Sequence, residues 1–283
     1  MILQLLSKAR DLKPVFLRIF VTNRPELHIR LGFKQMPNGM YEDLILHQVV
    51  KQSVQHDIRV YLQHELGRIQ QERSLSIGWP SNNQIEALVE QAVPLFIFAA
   101  TACRYIGDQR GNPRKRLEII LGYQKVKASK LDATYSPIMN QLFEEEEDRE
   151  MWASEFQEIV GSIVLLAAPL SITSLARLLQ VSEEDIRCRL DSLHSVLSIP
   201  DSDDLPIRLL HLSFREFLVD VSKQNSPFWV DERARHERLA SQCIDLMSGP
   251  SGLRQDTCDI SRPGALKNEI EERTISRNLP PEL

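Results

Sequence analysis

The sequence predicts a mostly helical protein. It carries one buried strand near its start, a helical bundle, a helix-and-hairpin module and a helical tail. Three observations carry that expectation. Apolar residues recur at helical spacing through most of the 283 residues. The run Val15–Val21 is apolar except at Arg18 and rich in Val, Ile and Phe, the pattern of a strand buried on both faces. Between Glu155 and Val221 three helical patterns are followed by two short strand patterns and a last helix.

Ile2–Leu12 has helical spacing, and Pro14 closes it before the Val15–Val21 strand. Ligands of sheets buried on both faces sit beyond the carboxyl ends of the strands. Arg24, just past this strand, is therefore placed to sense a phosphate, or else is a strand-end cation that is solvated or paired. After Pro25 the pattern turns irregular through Gly32, Pro37 and Gly39. Asp43–Val50 fits a strand or a helical turn equally.

Asp57 has the chemistry of an N-cap for a helix with Ile58, Tyr61, Leu62, Leu66 and Ile69 on one face. A polar linker, Gln70–Asn83, precedes a helix with Ile85, Leu88, Val89 and Ala92 inward. Phe96–Tyr105 is apolar nearly all round, which predicts a buried helix. Pro113 suits the first position of the next one. Asp132–Phe143 reads as a helix despite Pro137, and the acidic run Glu144–Asp148 as a solvated end.

Glu155–Ala168 is an apolar-rich helix that ends at Pro169. Ser171–Gln180 follows at helical spacing, and Ser182-Glu-Glu-Asp185 opens a third helix through Leu193, in the manner of a capping box. Ser195–Ile199 and Ile207–Leu212 read as strands joined by Pro200–Asp204, and Ser213–Val221 as a closing helix. Three helices, a two-stranded wing and a closing helix make a winged-helix domain. Many such domains read DNA through the third helix. Here that helix holds Glu183, Glu184, Asp185 and Asp191 against Arg187 and Arg189, which repels phosphates and excludes DNA as the expected partner. Asp231 then caps Glu232–Met247, and Gly249–Gly252 ends it.

The net charge of −5 gives no basic excess for nucleic acid or anionic membranes. Val93–Cys103 and Ile159–Ile172 are too short to span a bilayer. Four widely spaced cysteines suit a reducing, cytoplasmic setting. None of the eleven glycines precedes a lysine, so the sequence holds no G-x-x-x-x-G-K-[ST] phosphate loop. It holds no G-x-S-x-G, no H-E-x-x-H and no chelating histidine pair either. No catalytic constellation is present, and the sequence does not predict a self-sufficient enzyme or a metal site.

Several segments, in order, carry a resemblance: Ile19-Phe-Val-Thr-Asn-Arg-Pro-Glu26, Asp57-Ile-Arg-Val-Tyr-Leu62, Leu95-Phe-Ile-Phe-Ala-Ala-Thr-Ala-Cys-Arg104, Leu193-His-Ser-Val-Leu197 and Leu210-His-Leu-Ser-Phe-Arg-Glu-Phe-Leu218. Phe228-Trp-Val-Asp231 and His236 also fit. The chain resembles the C-terminal half of the NACHT nucleotide-binding region of large fungal NACHT and WD-repeat signalling proteins, members of the STAND class of NTPases. The resemblance implies four parts. Residues 1–37 match the end of an α/β NTPase core with its sensor strand, 38–150 a helical lid, 151–221 a winged helix and 222–283 a helical tail.

It also implies roles. Arg24 matches the sensor arginine near the terminal phosphate, and His211 the winged-helix histidine that senses ADP. Pro94 lies in a segment packed against adenine, where Val93 departs from the family's glycine. Read from the residues alone, His211 is a strand-end imidazole that caps a nearby backbone group. The family's P-loop and acidic Mg²⁺-binding strand would precede the region matching Ile2–Arg24, so ATP, ADP and Mg²⁺ are expected of the full family domain and not of this chain by itself. The expected function is that of a non-catalytic interaction module. Its partners are proteins or the N-terminal NTPase half, with neither DNA nor membrane, and oligomerisation is possible in full-length family members. The alternative is one half of an ATP/ADP-switched signalling protein.

Overall fold

The computed structural model describes residues 18–22, 27–36, 39, 41–42, 51–123, 129–144, 149–250, 252–254, 256–258, 260, 270–279 and 282. The described chain is mostly helical, and its one sheet is a two-stranded hairpin. No described helix is long and apolar enough to cross a membrane. The chain divides into two units, one up to Val50 and one from Lys51 onward.

In the first unit, helix α1 spans Leu27–Lys34. The irregular stretch expected there is instead helical, because a single glycine such as Gly32 costs a helix only about 1 kcal/mol against alanine. Phe33 meets Tyr41 with ring centroids 5.1 Å apart. The expected buried strand is not seen in its described part. Residues 18–22 have no regular structure, and Phe20 is 85% exposed. A strand needs a neighbour to take its N–H and C=O groups, and no described segment pairs with this one. Positions 15–17 and the whole of Asp43–Val50 lie outside the described residues, as does most of the acidic run.

The second unit opens with α2, Lys51–Glu72. It begins six residues before Asp57, so Asp57 sits inside the helix and is not its cap. Ile58, Leu62, Leu66 and Ile69 form a buried stripe at i, i+4, i+8 and i+11. The stripe packs on α3, Asn82–Ala92, and α4, Phe96–Gly107. Ser81 and Gln84 close a reciprocal capping box at the start of α3. Helix α5, Pro113–Gly122, has Pro113 in its first turn and Asn112 as N-cap, whose Oδ1 accepts from the Arg114 N–H at 2.9 Å. Together these helices enclose the first core, from Ile58 to Ile138.

Cys103 lies within that core at 3% exposure, whereas Cys188 is exposed. Burial, the larger cause, and the Glu65 charge push the Cys103 thiol up to about 12. Ionising it costs more in the fold than in the unfolded chain, so it leaves stability unchanged below the ordinary thiol value of 9.0 and lowers it as pH rises from there to the folded value. At pH 8 an aromatic disulfide reagent is therefore expected to titrate Cys188 quickly and leave Cys103 unreacted until denaturant is added. Rapid labelling of Cys103 in the native protein, read by peptide mass, would contradict this burial.

Helix α6, Lys130–Glu144, serves two cores at once. Ile138 belongs to the first, while Tyr135 and Met139, one turn apart on another face, belong to the second. Pro137 removes one N–H from the helix without ending it.

The second core is built by α7, Arg149–Leu165, α8, Ile172–Leu179, and α9, Glu183–Asp191. Helix α7 starts before the expected Glu155 and ends before the expected Ala168. Ser171 caps α8 and Ser182 caps α9, each through its Oγ accepting an N–H three residues on. Strands β1, Leu197–Ser198, and β2, Arg208–Leu209, pair antiparallel with Leu197 opposite Leu209. They are shorter than expected, but the hairpin is pinned to the start of α8. The Ile207 N–H donates to the Leu170 carbonyl at 2.9 Å, and Ser171 bridges Pro206. Helix α10, Ser213–Leu218, closes the group, ending before the expected Val221.

Helix α11, Glu232–Ser248, is capped by Asp231 as expected and packs on α7 and α8. Gly161 on α7 allows close approach, since a Cβ there would stand 3.2 Å from Val230. A short α12, Glu272–Asn278, follows.

Candidate functional site

Of the three expected site residues, two are described, and they lie on different cores. Arg24 lies outside the described residues. Pro94 is exposed in the turn between α3 and α4, after a cis peptide bond, next to Val93 of the first core. His211 lies at the end of β2 on the second core. Among the described residues no three His, Cys, Asp or Glu side chains converge in a metal-binding group.

His211 is the best-defined of the three. Leu212, the N-cap position of α10, offers no side-chain cap. The imidazole supplies one instead: the Ser213 N–H donates to His211 Nδ1 at 3.1 Å. Nδ1 is thus an acceptor, which puts the proton of the neutral ring on Nε2. The Ser213 hydroxyl lies 2.6 Å from the same nitrogen and 2.8 Å from the Tyr135 hydroxyl. The consistent pattern is Tyr135 O–H to Ser213 Oγ, and Ser213 O–H to His211 Nδ1. Burial, the largest influence on Tyr135, raises its phenol above the ordinary value, so it stays a donor.

A serine beside a histidine is the start of a nucleophilic pair. Ser213, however, is only 4% exposed, under the first turn of α10. A substrate carbonyl has no route to its Oγ. The arrangement does mechanical work: it ties the hairpin's exit, α10 and α6 into one hydrogen-bonded line from an exposed imidazole to a buried phenol.

Two ionic contacts run beside this line. Lys223 bonds Asp132 of α6 at 2.9 Å and Asp220 at 2.7 Å. Its hydrogen bond, with those from Ser222, draws the Asp220 carboxyl down to about 2. Burial alone would raise Asp132, but hydrogen bonds from Lys223 and Ser129 hold it below the usual carboxylate range. Farther off, Arg110, just after α4, meets Asp191 at the end of α9 at 2.7 Å. That pair is solvated and stabilises by about 0–1 kcal/mol.

The third helix of the module, α9, has its cations already engaged. Arg187 pairs with Asp203 of the hairpin turn. Arg189 pairs with Glu155 and covers the Trp152 ring at 5.2 Å. The carboxylates Glu183, Glu184 and Asp185 occupy the first turn, where the helix dipole favours them.

The capping role of His211 was legible in the sequence. The Tyr135–Ser213 bond was not, because that partnership spans 78 positions and Tyr135 sits in no motif. The Lys223–Asp132 pair is likewise silent in sequence. Comparison with family models, with curated proteins and with solved structures returned no match.

Proposed function

We propose that residues 151–221 are a winged-helix module, that the helices before it are a lid, and that the two work together by protein contact in a cytoplasmic signalling protein of the NACHT type. The order of helices and hairpin supports this reading, as does an exposed histidine where the hairpin enters the closing helix. The observation that carries it is the state of α9. Both of its arginines are held by carboxylates of the same module, so the helix that would enter a DNA groove offers phosphates an acidic first turn and no uncommitted cation. Phosphate contacts supply most non-specific DNA affinity, and this face lacks them.

The test is duplex binding read by fluorescence anisotropy between low and physiological salt. No saturable binding is expected at either. Tight, steeply salt-dependent binding that is lost in Arg187→Ala would replace this reading with that of a DNA-binding regulator.

A second reading, half of an ATP/ADP-switched protein, is favoured by one observation: the His211 ring is exposed while its Nδ1 is fixed by α10. It predicts ADP affinity that His211→Ala removes, measured by calorimetry on a polypeptide that also carries a P-loop half.

A further inference from the structure

The turn from α4 into α5 concentrates positive charge in a chain whose net charge is negative. Between Arg104 and Arg116 lie Arg104, Arg110, Arg114, Lys115 and Arg116, with Asp108 as the lone carboxylate. The two best-neutralised cations shape the turn. Arg110 pairs with Asp108 and Asp191. Arg116 donates to the Tyr105 carbonyl at 2.7 Å and lies so close under Gly111 that a Cβ there would stand 2.1 Å from its Nε.

Arg73 and Arg114 are placed differently. Arg73, in the turn just after α2, donates to the Gly111 carbonyl at 2.8 Å, and Arg114 to the Ser76 hydroxyl at 2.6 Å. Both acceptors are neutral, and neither guanidinium has a carboxylate partner among the described residues. Both line one open hollow of about 370 Å³, with Arg110 beside them. Arg114 also lines a second hollow of about 250 Å³, with Trp79, Ile77 and Glu118. Trp79 is 8% exposed, and its Nε1–H is buried with no acceptor.

We propose that this double hollow is a binding site for a terminal phosphate group, of a monoester or of a diphosphate, gripped by Arg73 and Arg114. Guanidinium forks match phosphate oxygens in pairs, and such charge-assisted bonds are about twice as strong as neutral ones. The N-terminal end of α5 adds a favourable dipole. Its first amides are occupied by Asn112, so the guanidinium groups supply the direct bonds. The fully exposed Ile77 gives the second hollow an apolar contact for whatever carries the phosphate. Neither Arg73 nor Arg114 bonds His211 or α9, and the site does not rest on the winged-helix reading.

The test titrates the full chain with four probes: a labelled peptide with one phosphoserine in neutral flanks, its unphosphorylated twin, ADP, and inorganic phosphate. Saturable binding of a phosphorylated probe is expected. It should weaken by about tenfold in Arg114→Gln and in Arg73→Gln, and stay unchanged in Arg233→Gln on α11. Binding of the phosphopeptide without ADP assigns the phosphate to a protein partner, and ADP without the phosphopeptide assigns it to a nucleotide. Should Arg73→Gln melt early, Arg114→Gln decides, since among the described residues its side chain bonds only Ser76. Binding that neither substitution weakens, equal binding of the unphosphorylated twin, or a response to inorganic phosphate alone would overturn the site.

Discussion

Trp152→Ala is expected to destabilise the second unit by about 3–5 kcal/mol, the range for emptying a large aromatic from a packed core. Trp152 is 2% exposed and stacks on Phe156 with centroids 5.0 Å apart. Phe143 and Phe228 meet its edges, at 5.8 and 5.9 Å. Arg189 closes the remaining face. Alanine would leave a void bounded by rigid rings from α6, α7 and the approach to α11, which cannot all move inward together. Urea denaturation followed by far-UV circular dichroism measures the loss. Met151→Ala, next door but 56% exposed, should stay within about 0.5 kcal/mol of the wild type. A Trp152→Ala variant that loses less than about 1 kcal/mol would show that the aromatic cluster is not packed in this way.

Tyr135→Ala should match it in size, about 3–5 kcal/mol, and differ in kind. The Tyr135 ring contacts Phe214 and Phe217 at 5.2 and 5.3 Å, and its helix also carries Ile138 into the first core. Losing it weakens the element that the two cores share. In the wild type, circular dichroism and tryptophan fluorescence should report one coincident transition. In Tyr135→Ala they should separate, since Trp79 reports the first core and Trp152 the second. Tyr135→Phe keeps the ring and leaves Ser213 bonded to His211, so its cost is that of one hydrogen bond, about 1 kcal/mol. Ser213→Ala strands the buried phenol and should cost more, about 1–3 kcal/mol. Equal losses for Tyr135→Phe and Tyr135→Ala would contradict the shared-helix role.

Much of the helical frame is written locally. Ser81-x-x-Gln84, Asn112-Pro113, Ser171, Ser182 and Asp231 each carry their own cap chemistry, and each begins a helix within a residue of where that chemistry puts it. Periodicity likewise marks the α2 stripe. Where the reading failed, the deciding contacts are distant or missing. Residues 18–22 have strand composition, but strand structure depends on a neighbour that composition cannot supply. Asp57 has cap chemistry, but α2 continues through it because Val54 and Ile58 already pack on the first core. Arg187 and Arg189 are visible as two bases in an acidic helix, while their carboxylate partners are known only once the hairpin turn and α7 are in place. His211 as a capping imidazole follows from Leu210–Ser213 alone; the Tyr135 end of that line does not.

The measurement that bears most directly on the proposed role is phosphate release from ATP by the purified chain, with Arg24→Ala run beside it. A module that acts by protein contact should release no phosphate above the buffer blank, with or without Mg²⁺, and Arg24→Ala should change nothing. Turnover that rises with chain concentration and disappears in Arg24→Ala would make the chain an ATPase in its own right and contradict the proposal.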